Sequence, residues 1–127
     1  MLATPLTVAV SAASVAAGRS LAPYLLVGSP PASGPALDLS RIDALRQLMR
    51  GVVTGGTGTA LQFVPGGPVY GKTGTAEYGN ALPPRTHAWF AGYQGDVAFA
   101  VLVEDGGFGA QTAAPLAASF LTLLTHG

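Results

Sequence analysis

The sequence predicts an α/β fold of the α+β kind, a three-stranded antiparallel meander with flanking helices. Three observations carry that prediction. Between Ser40 and Val52, the apolar residues Ile42, Leu45, Leu48, Met49 and Val52 recur at helical spacing. From Val69 the period changes to two, most plainly in Thr86 to Gln94, where His87, Trp89, Ala91 and Tyr93 alternate with Ala88, Phe90 and Gly92. Gly95-Asp96 then reads as a type II′ hairpin turn into the apolar run Val97 to Val103.

Taken in order, Met1 to Ala17 is an apolar, small-residue stretch with no Lys or Arg before it, which disfavours a secretory leader. It reads better as a buried helix, with Thr4 as N-cap, Pro5 at the first helical position and Gly18 as terminator. Arg19 to Pro35 is loop material rich in Pro and Gly. Ser40 is the expected N-cap of the second helix, with Asp43 completing a capping-box variant. Arg41, Arg46 and Arg50 are expected on its solvated side, and Gly55 to Thr59 should end it in a flexible turn. Val69 to Ala76 is the first strand, and Val97 to Val103 is expected to be buried on both faces. A helix from about Ala113 to Leu124, with Pro115 in its first turn, closes the chain.

Composition narrows the function. The 127 residues suit one domain, and 49% hydrophobic content with 18 glycines describes a well-buried chain with many tight turns. Six basic residues balance six acidic ones, which leaves no electrostatic footprint for nucleic acid or an acidic membrane surface. With no cysteine there is no disulfide or thiolate, and the two histidines have no HxxxH spacing, so neither a metal nor a cofactor is expected. Every apolar run is interrupted before about 18 residues, short of a membrane span.

The only lysine, Lys72, sits in Gly71-Lys72-Thr73-Gly74-Thr75, a cation between two glycines with hydroxyls beside it. That arrangement handles anions. Gly66 to Thr73 satisfies the phosphate-loop pattern G-x-x-x-x-G-K-[ST], and Phe99 to Asp105 can pass for its magnesium-binding strand. A phosphate loop, however, needs a helix directly after Lys-Thr, and Gly74, Thr75, Gly79, Pro83 and Pro84 make a poor one. On an extended strand, Lys72 and Gly74 lie on one side and Thr73 and Thr75 on the other, where a peptide can add alongside and its carboxylate can be gripped. A third reading makes Lys72 an ordinary edge-strand charge that resists aggregation.

Lys72-Thr73-Gly74-Thr75 resembles the Lys-Thr-Gly motif of the penicillin-binding transpeptidases and serine β-lactamases. Thr4-Pro5-Leu6, Gly58-Thr59-Ala60 and His87-Ala88-Trp89-Phe90-Ala91-Gly92-Tyr93 extend the resemblance over nearly the whole chain, toward the closing part of the transpeptidase domain of class B penicillin-binding proteins. The Ala, Gly and Arg bias looks actinobacterial. The resemblance implies a β-lactamase/transpeptidase-like fold and D,D-transpeptidation of peptidoglycan stem peptides through an acyl-serine, with β-lactams as acylating inhibitors. It implies catalytic roles for Lys72, in the proton and charge network, and for Thr75, whose backbone N–H stabilises the oxyanion. Thr73, Gly74 and Thr75 would bind substrate, the two hydroxyls on the carboxylate and Gly74 by keeping the strand open. Trp89 and Phe90 read as core packing, and His87 as a supporting residue at most.

The family's Ser-x-x-Lys and Ser-x-Asn motifs are not found here: no serine precedes a lysine by three or an asparagine by two. Residues 1–127 are therefore expected to be the C-terminal portion of such a domain, inactive alone, with its N-terminal part as partner and an extracytoplasmic, membrane-anchored parent. In the related fold the last strand pairs with one from that part, so Val97 to Val103 is expected to present an unpaired apolar edge and to limit autonomous stability. An inactive carboxylate-binding remnant, or one half of a split enzyme, is the alternative.

Overall fold

Local signals set the ends of the first helix, α1 (Pro5–Ala17). The Thr4 hydroxyl accepts from the Thr7 amide at 3.2 Å, and Gly18 closes the helix in the left-handed conformation at φ 68°. The computed structural model describes residues 3–126; Met1 and Leu2, which open the apolar stretch ahead of the expected Thr4 cap, lie outside. The helix exists, but it is not the buried one expected: Ala12 alone is fully covered, and Leu6 is 59% exposed. It packs on the sheet through one side only, where Ala13, Ala16 and Ala17 face Tyr93 and Ala98.

The second helix, α2, spans Leu39–Gly55 and starts earlier than its apolar period suggests. Asp38, not Ser40, is its N-cap. The Asp38 carboxylate accepts from the Ser40 and Arg41 amides at 3.1 and 3.4 Å, while the Ser40 hydroxyl donates to it at 2.7 Å. A carboxylate outcompetes a hydroxyl for this position because it also neutralises the positive end of the helix. Asp43 pairs with Arg46 instead of capping.

Two of the three arginines expected in solvent are structural. Arg46 donates to the Val15 and Ala16 carbonyls at 3.1 and 2.8 Å, adding donors at the last turn of α1, where the Gly18 amide reaches only Val15 and Ser14. Arg50 donates to the Val69 carbonyl at 2.9 Å and so ties α2 to the sheet. Only Arg41 stays on the solvated face, paired with Asp38.

The meander is as expected: β1 (Val69–Tyr78), β2 (Arg85–Gln94) and β3 (Val97–Val103), antiparallel in the order β1-β2-β3. Gly95 at φ 53°, with no positive φ at Asp96, fits the type II′ turn. β1 runs straight through Lys72 to Tyr78, so the helix that a phosphate loop requires is absent and that reading fails. A short 3-10 turn (Thr59–Leu61) and the last helix, α3 (Ala113–His126), cover one face of the sheet. There Val53, Leu61, Val69, Phe90, Phe99 and Leu121 form the core with three alanines of α3. β3 is not buried on both faces. Phe99 is its one fully covered residue and Val97 is 40% exposed, because β3 is an outer strand and α1 covers its other face with small alanines.

Hydrogen bonds to its carboxylate, first from the Ser40 hydroxyl, hold Asp38 below the usual aspartate pKa. A lowered folded value stabilises above the unfolded pKa and is lost as pH falls through the folded one. The melting temperature is therefore expected to fall with acid across that window. An Asp38→Asn chain, which keeps the cap but not the charge, should lose this component in melts followed by circular dichroism.

Candidate functional site

The site is built on β1, whose only strand neighbour among the described residues is β2. Its first residues are covered: Val69 and Gly71 are buried and α2 packs against this strand, whereas Lys72, Thr75, Ala76 and Glu77 are exposed. The open edge thus begins at the lysine.

Pairing with β2 sets Lys72 opposite Ala91, Thr73 opposite Phe90, Gly74 opposite Trp89 and Thr75 opposite Ala88. Lys72 and Gly74 therefore share the face that carries α1, and Thr73 and Thr75 share the core face, as the strand alternation predicts. The Lys72 ammonium donates to the Thr73 carbonyl at 2.7 Å. Among the described residues it meets no carboxylate within ion-pair distance, so two of its three N–H groups remain for a ligand.

Each threonine hydroxyl is held from the core side by a different loop. Thr73, only 8% exposed, shares a 2.6 Å hydrogen bond with the Thr57 hydroxyl. Thr75 is exposed, and its hydroxyl accepts from the Gly109 amide at 3.3 Å. Sequence reasoning missed both partners. Thr57 sits in a turn whose glycines read as flexible, yet the Gly56 and Gly58 amides both donate to the Val52 carbonyl and fix that turn against the end of α2.

The aromatic neighbours divide. Phe90 is fully buried and stacks with Phe99 at 6.0 Å, while Trp89 is half-buried across from Gly74. His87 stacks on Tyr78 at 4.1 Å and accepts the Asp105 amide at 3.4 Å through Nδ1. It lies opposite Ala76, four residues beyond the lysine. Asp105, offered as a magnesium ligand, is bound instead by the Tyr78 hydroxyl and the Arg85 guanidinium.

A cleft of about 700 Å³ opens beside this strand, lined by Arg46, Arg50, Tyr70 and Tyr93. Its floor is the stacked Tyr70–Tyr93 pair at 4.9 Å, and burial raises the Tyr93 phenol above its usual pKa, so it stays a neutral donor. Both arginines already serve backbone carbonyls, which makes the cleft less suited to an anion than the lysine edge. Among the described residues there is no group of three His, Cys, Asp or Glu able to hold a metal, and no helix long and apolar enough to cross a membrane.

Comparison with known proteins gives one consistent result. The family model of the penicillin-binding protein transpeptidase domain matches residues 1–122. Among solved structures, the chain is similar to Pseudomonas aeruginosa PBP2 in complex with WCK 5153, at 29% identity and TM-score 0.75, over 98% of this chain and 30% of that one. It is also similar to the D,D-transpeptidase domain of a peptidoglycan glycosyltransferase from Eggerthella lenta, at 30% identity and TM-score 0.67, over 95% of this chain and 33% of that one. The penicillin-binding protein of the Helicobacter pylori PBP2–MreC complex shares the fold, at 24% identity and TM-score 0.81, over 98% of this chain and 24% of that one. The chain thus spans a third or less of each of these structures. No curated protein matches it.

Thr57→Val should cost about 1–3 kcal/mol in urea unfolding, since it leaves the buried Thr73 hydroxyl without its partner. The Thr57→Val/Thr73→Val pair should recover most of that loss, because two apolar groups of the same shape replace the hydrogen bond.

Proposed function

The chain belongs to the penicillin-binding protein transpeptidase domain family, and from that premise we propose that it supplies the substrate-binding strand of a D,D-transpeptidase that crosslinks peptidoglycan stem peptides. One observation carries the proposal. β1 leaves an open edge from Lys72 onward, where an ammonium with two N–H groups to spare and an exposed, already oriented threonine hydroxyl stand on a strand that a peptide can join.

In this reading the stem peptide lies along β1 with its terminal carboxylate at the Thr73 and Thr75 hydroxyls. Thr75 faces it directly; Thr73 reaches it through the hydroxyl pair formed with Thr57. The nucleophile comes from a Ser-x-x-Lys segment, which these residues do not contain. Its oxygen forms a bond to the peptide carbonyl carbon, the C–N bond to the terminal D-residue breaks, and the departing amine takes up the proton. Lys72 stabilises the negative charge and the proton traffic around that oxygen, and the Thr75 N–H supports the oxyanion. A second amine then takes the acyl group and frees the serine.

A β-lactam would enter by the same route, its carboxylate on the same hydroxyls and its ring carbonyl on the serine. The finer assignment to class B rests on the wording of Thr4-Pro5-Leu6 and of His87 to Tyr93, and an actinobacterial source on the Ala, Gly and Arg bias. An extracytoplasmic parent follows from the proposed substrate. The partner of this chain is the segment that brings the serine.

Labelling with a fluorescent penicillin tests the reading. The 127-residue chain alone should form no covalent adduct by intact mass. A domain assembled with a Ser-x-x-Lys segment should label, and Thr75→Val should slow that labelling about tenfold by removing a hydrogen bond to a charged group. An adduct on the chain alone, or unchanged labelling of the Thr75→Val domain, contradicts it.

A further inference from the structure

The loop between β3 and α3 returns beneath the strand at Gly74 and Thr75, far from both in sequence. Its contact there is closer than any side chain permits. A Cβ on Gly109 would stand 2.6 Å from the Trp89 carbonyl oxygen and 3.0 Å from the Gly74 nitrogen, and nearer still to the Gly74 carbonyl oxygen. All three are backbone atoms of paired strands and have little room to retreat.

That approach delivers the Gly109 amide to the Thr75 hydroxyl at 3.3 Å. A threonine hydroxyl has one proton to give and two lone pairs to receive. An amide N–H can only donate, so the bond occupies a lone pair and turns the hydroxyl proton away from the loop. Thr75 is exposed on the open edge, so the proton is directed where a carboxylate, which accepts only, requires it.

The amide is itself fixed. The Thr86 hydroxyl donates to the Gly107 carbonyl at 3.2 Å, the Thr112 hydroxyl to the Gly106 carbonyl at 2.6 Å, and the Ala114 amide to the Gly109 carbonyl at 2.9 Å. The loop is thereby fastened to β2 on one side and to the first turn of α3 on the other. Resting on the reading of β1 given above, we propose that Gly109 is a positioning residue: its amide sets the Thr75 hydroxyl as a donor before substrate arrives, and its missing side chain makes that contact possible. The reorientation cost is removed in advance, as in other preorganised sites.

The readout is selectivity for a carboxylate, which a general loss of stability would not change. NMR titration of the 127-residue chain with an N-acetylated dipeptide of two D-alanines, as free acid and as C-terminal amide, gives the acid-over-amide preference, and the amide spectrum reports whether each variant is folded. Thr75→Val should lower that preference about tenfold. Gly109→Ala should lower it to the same level, with no further loss in the double variant. A chain with the peptide nitrogen of Gly109 replaced by an ester oxygen, which removes the N–H and adds no bulk, should do the same and decides the matter if Gly109→Ala does not fold. A full preference retained in the ester chain, or in folded Gly109→Ala, overturns the role of Gly109. No acid preference in the wild-type chain, or an unchanged one in Thr75→Val, overturns the reading of the strand itself and this inference with it.

Discussion

The contact on which the site depends is the packing of Phe90 over Gly71. The ring is completely buried, and a Cβ on Gly71 would come within 2.6 Å of its Cε1 atom. The ring thus occupies the space of the side chain that Gly71 lacks. Because strand side chains alternate, a slip of one residue would exchange the faces of Lys72 and Thr73. Phe90 belongs to a core that also holds Val53, Leu61, Phe99 and Leu121, so such a slip would also pull an aromatic ring out of the best-packed part of the molecule. The hydrophobic core and the orientation of the lysine are one constraint.

From that register the chemistry of the edge follows. Lys72 stands on the α1 face with its ammonium on the Thr73 carbonyl, and the hydroxyls of Thr73 and Thr75 are addressed from the core face by Thr57 and Gly109. One strand therefore offers a cation from one side and oriented hydroxyls from the other, at an edge where backbone groups are free to pair. In a chain of zero formal charge, recognition of an anion must come from such local arrangement and not from long-range attraction.

The parts legible in the sequence are those written in short-range patterns. The Thr4 cap, Pro5, Gly18, the two-residue period of β2 and the Gly95-Asp96 turn each depend on neighbours within a few positions, and each appears as read. The phosphate loop was already disfavoured by the glycines and prolines after Lys72, and the strand through Tyr78 removes it. What escaped depends on pairs remote in sequence. Arg46 reads as a solvated helix residue until the end of α1, some thirty positions earlier, is seen to need donors. Thr57 meets β1 across the loop that precedes the strand, and Gly109 only after the chain has folded back twice. The incomplete cover on the faces of β3, as distinct from its expected open edge, escaped for a different reason, since its apolar run is matched on one side only by small alanines of α1.

The most direct test of the account is a crystal structure of the chain with the N-acetylated D,D-dipeptide acid bound. The account predicts the peptide along the open edge of β1, with its carboxylate within hydrogen-bond distance of the Thr75 hydroxyl and the Lys72 ammonium on the same ligand. A carboxylate held instead between Arg46 and Arg50, in the cleft floored by Tyr70 and Tyr93, with the edge of β1 empty, would contradict it.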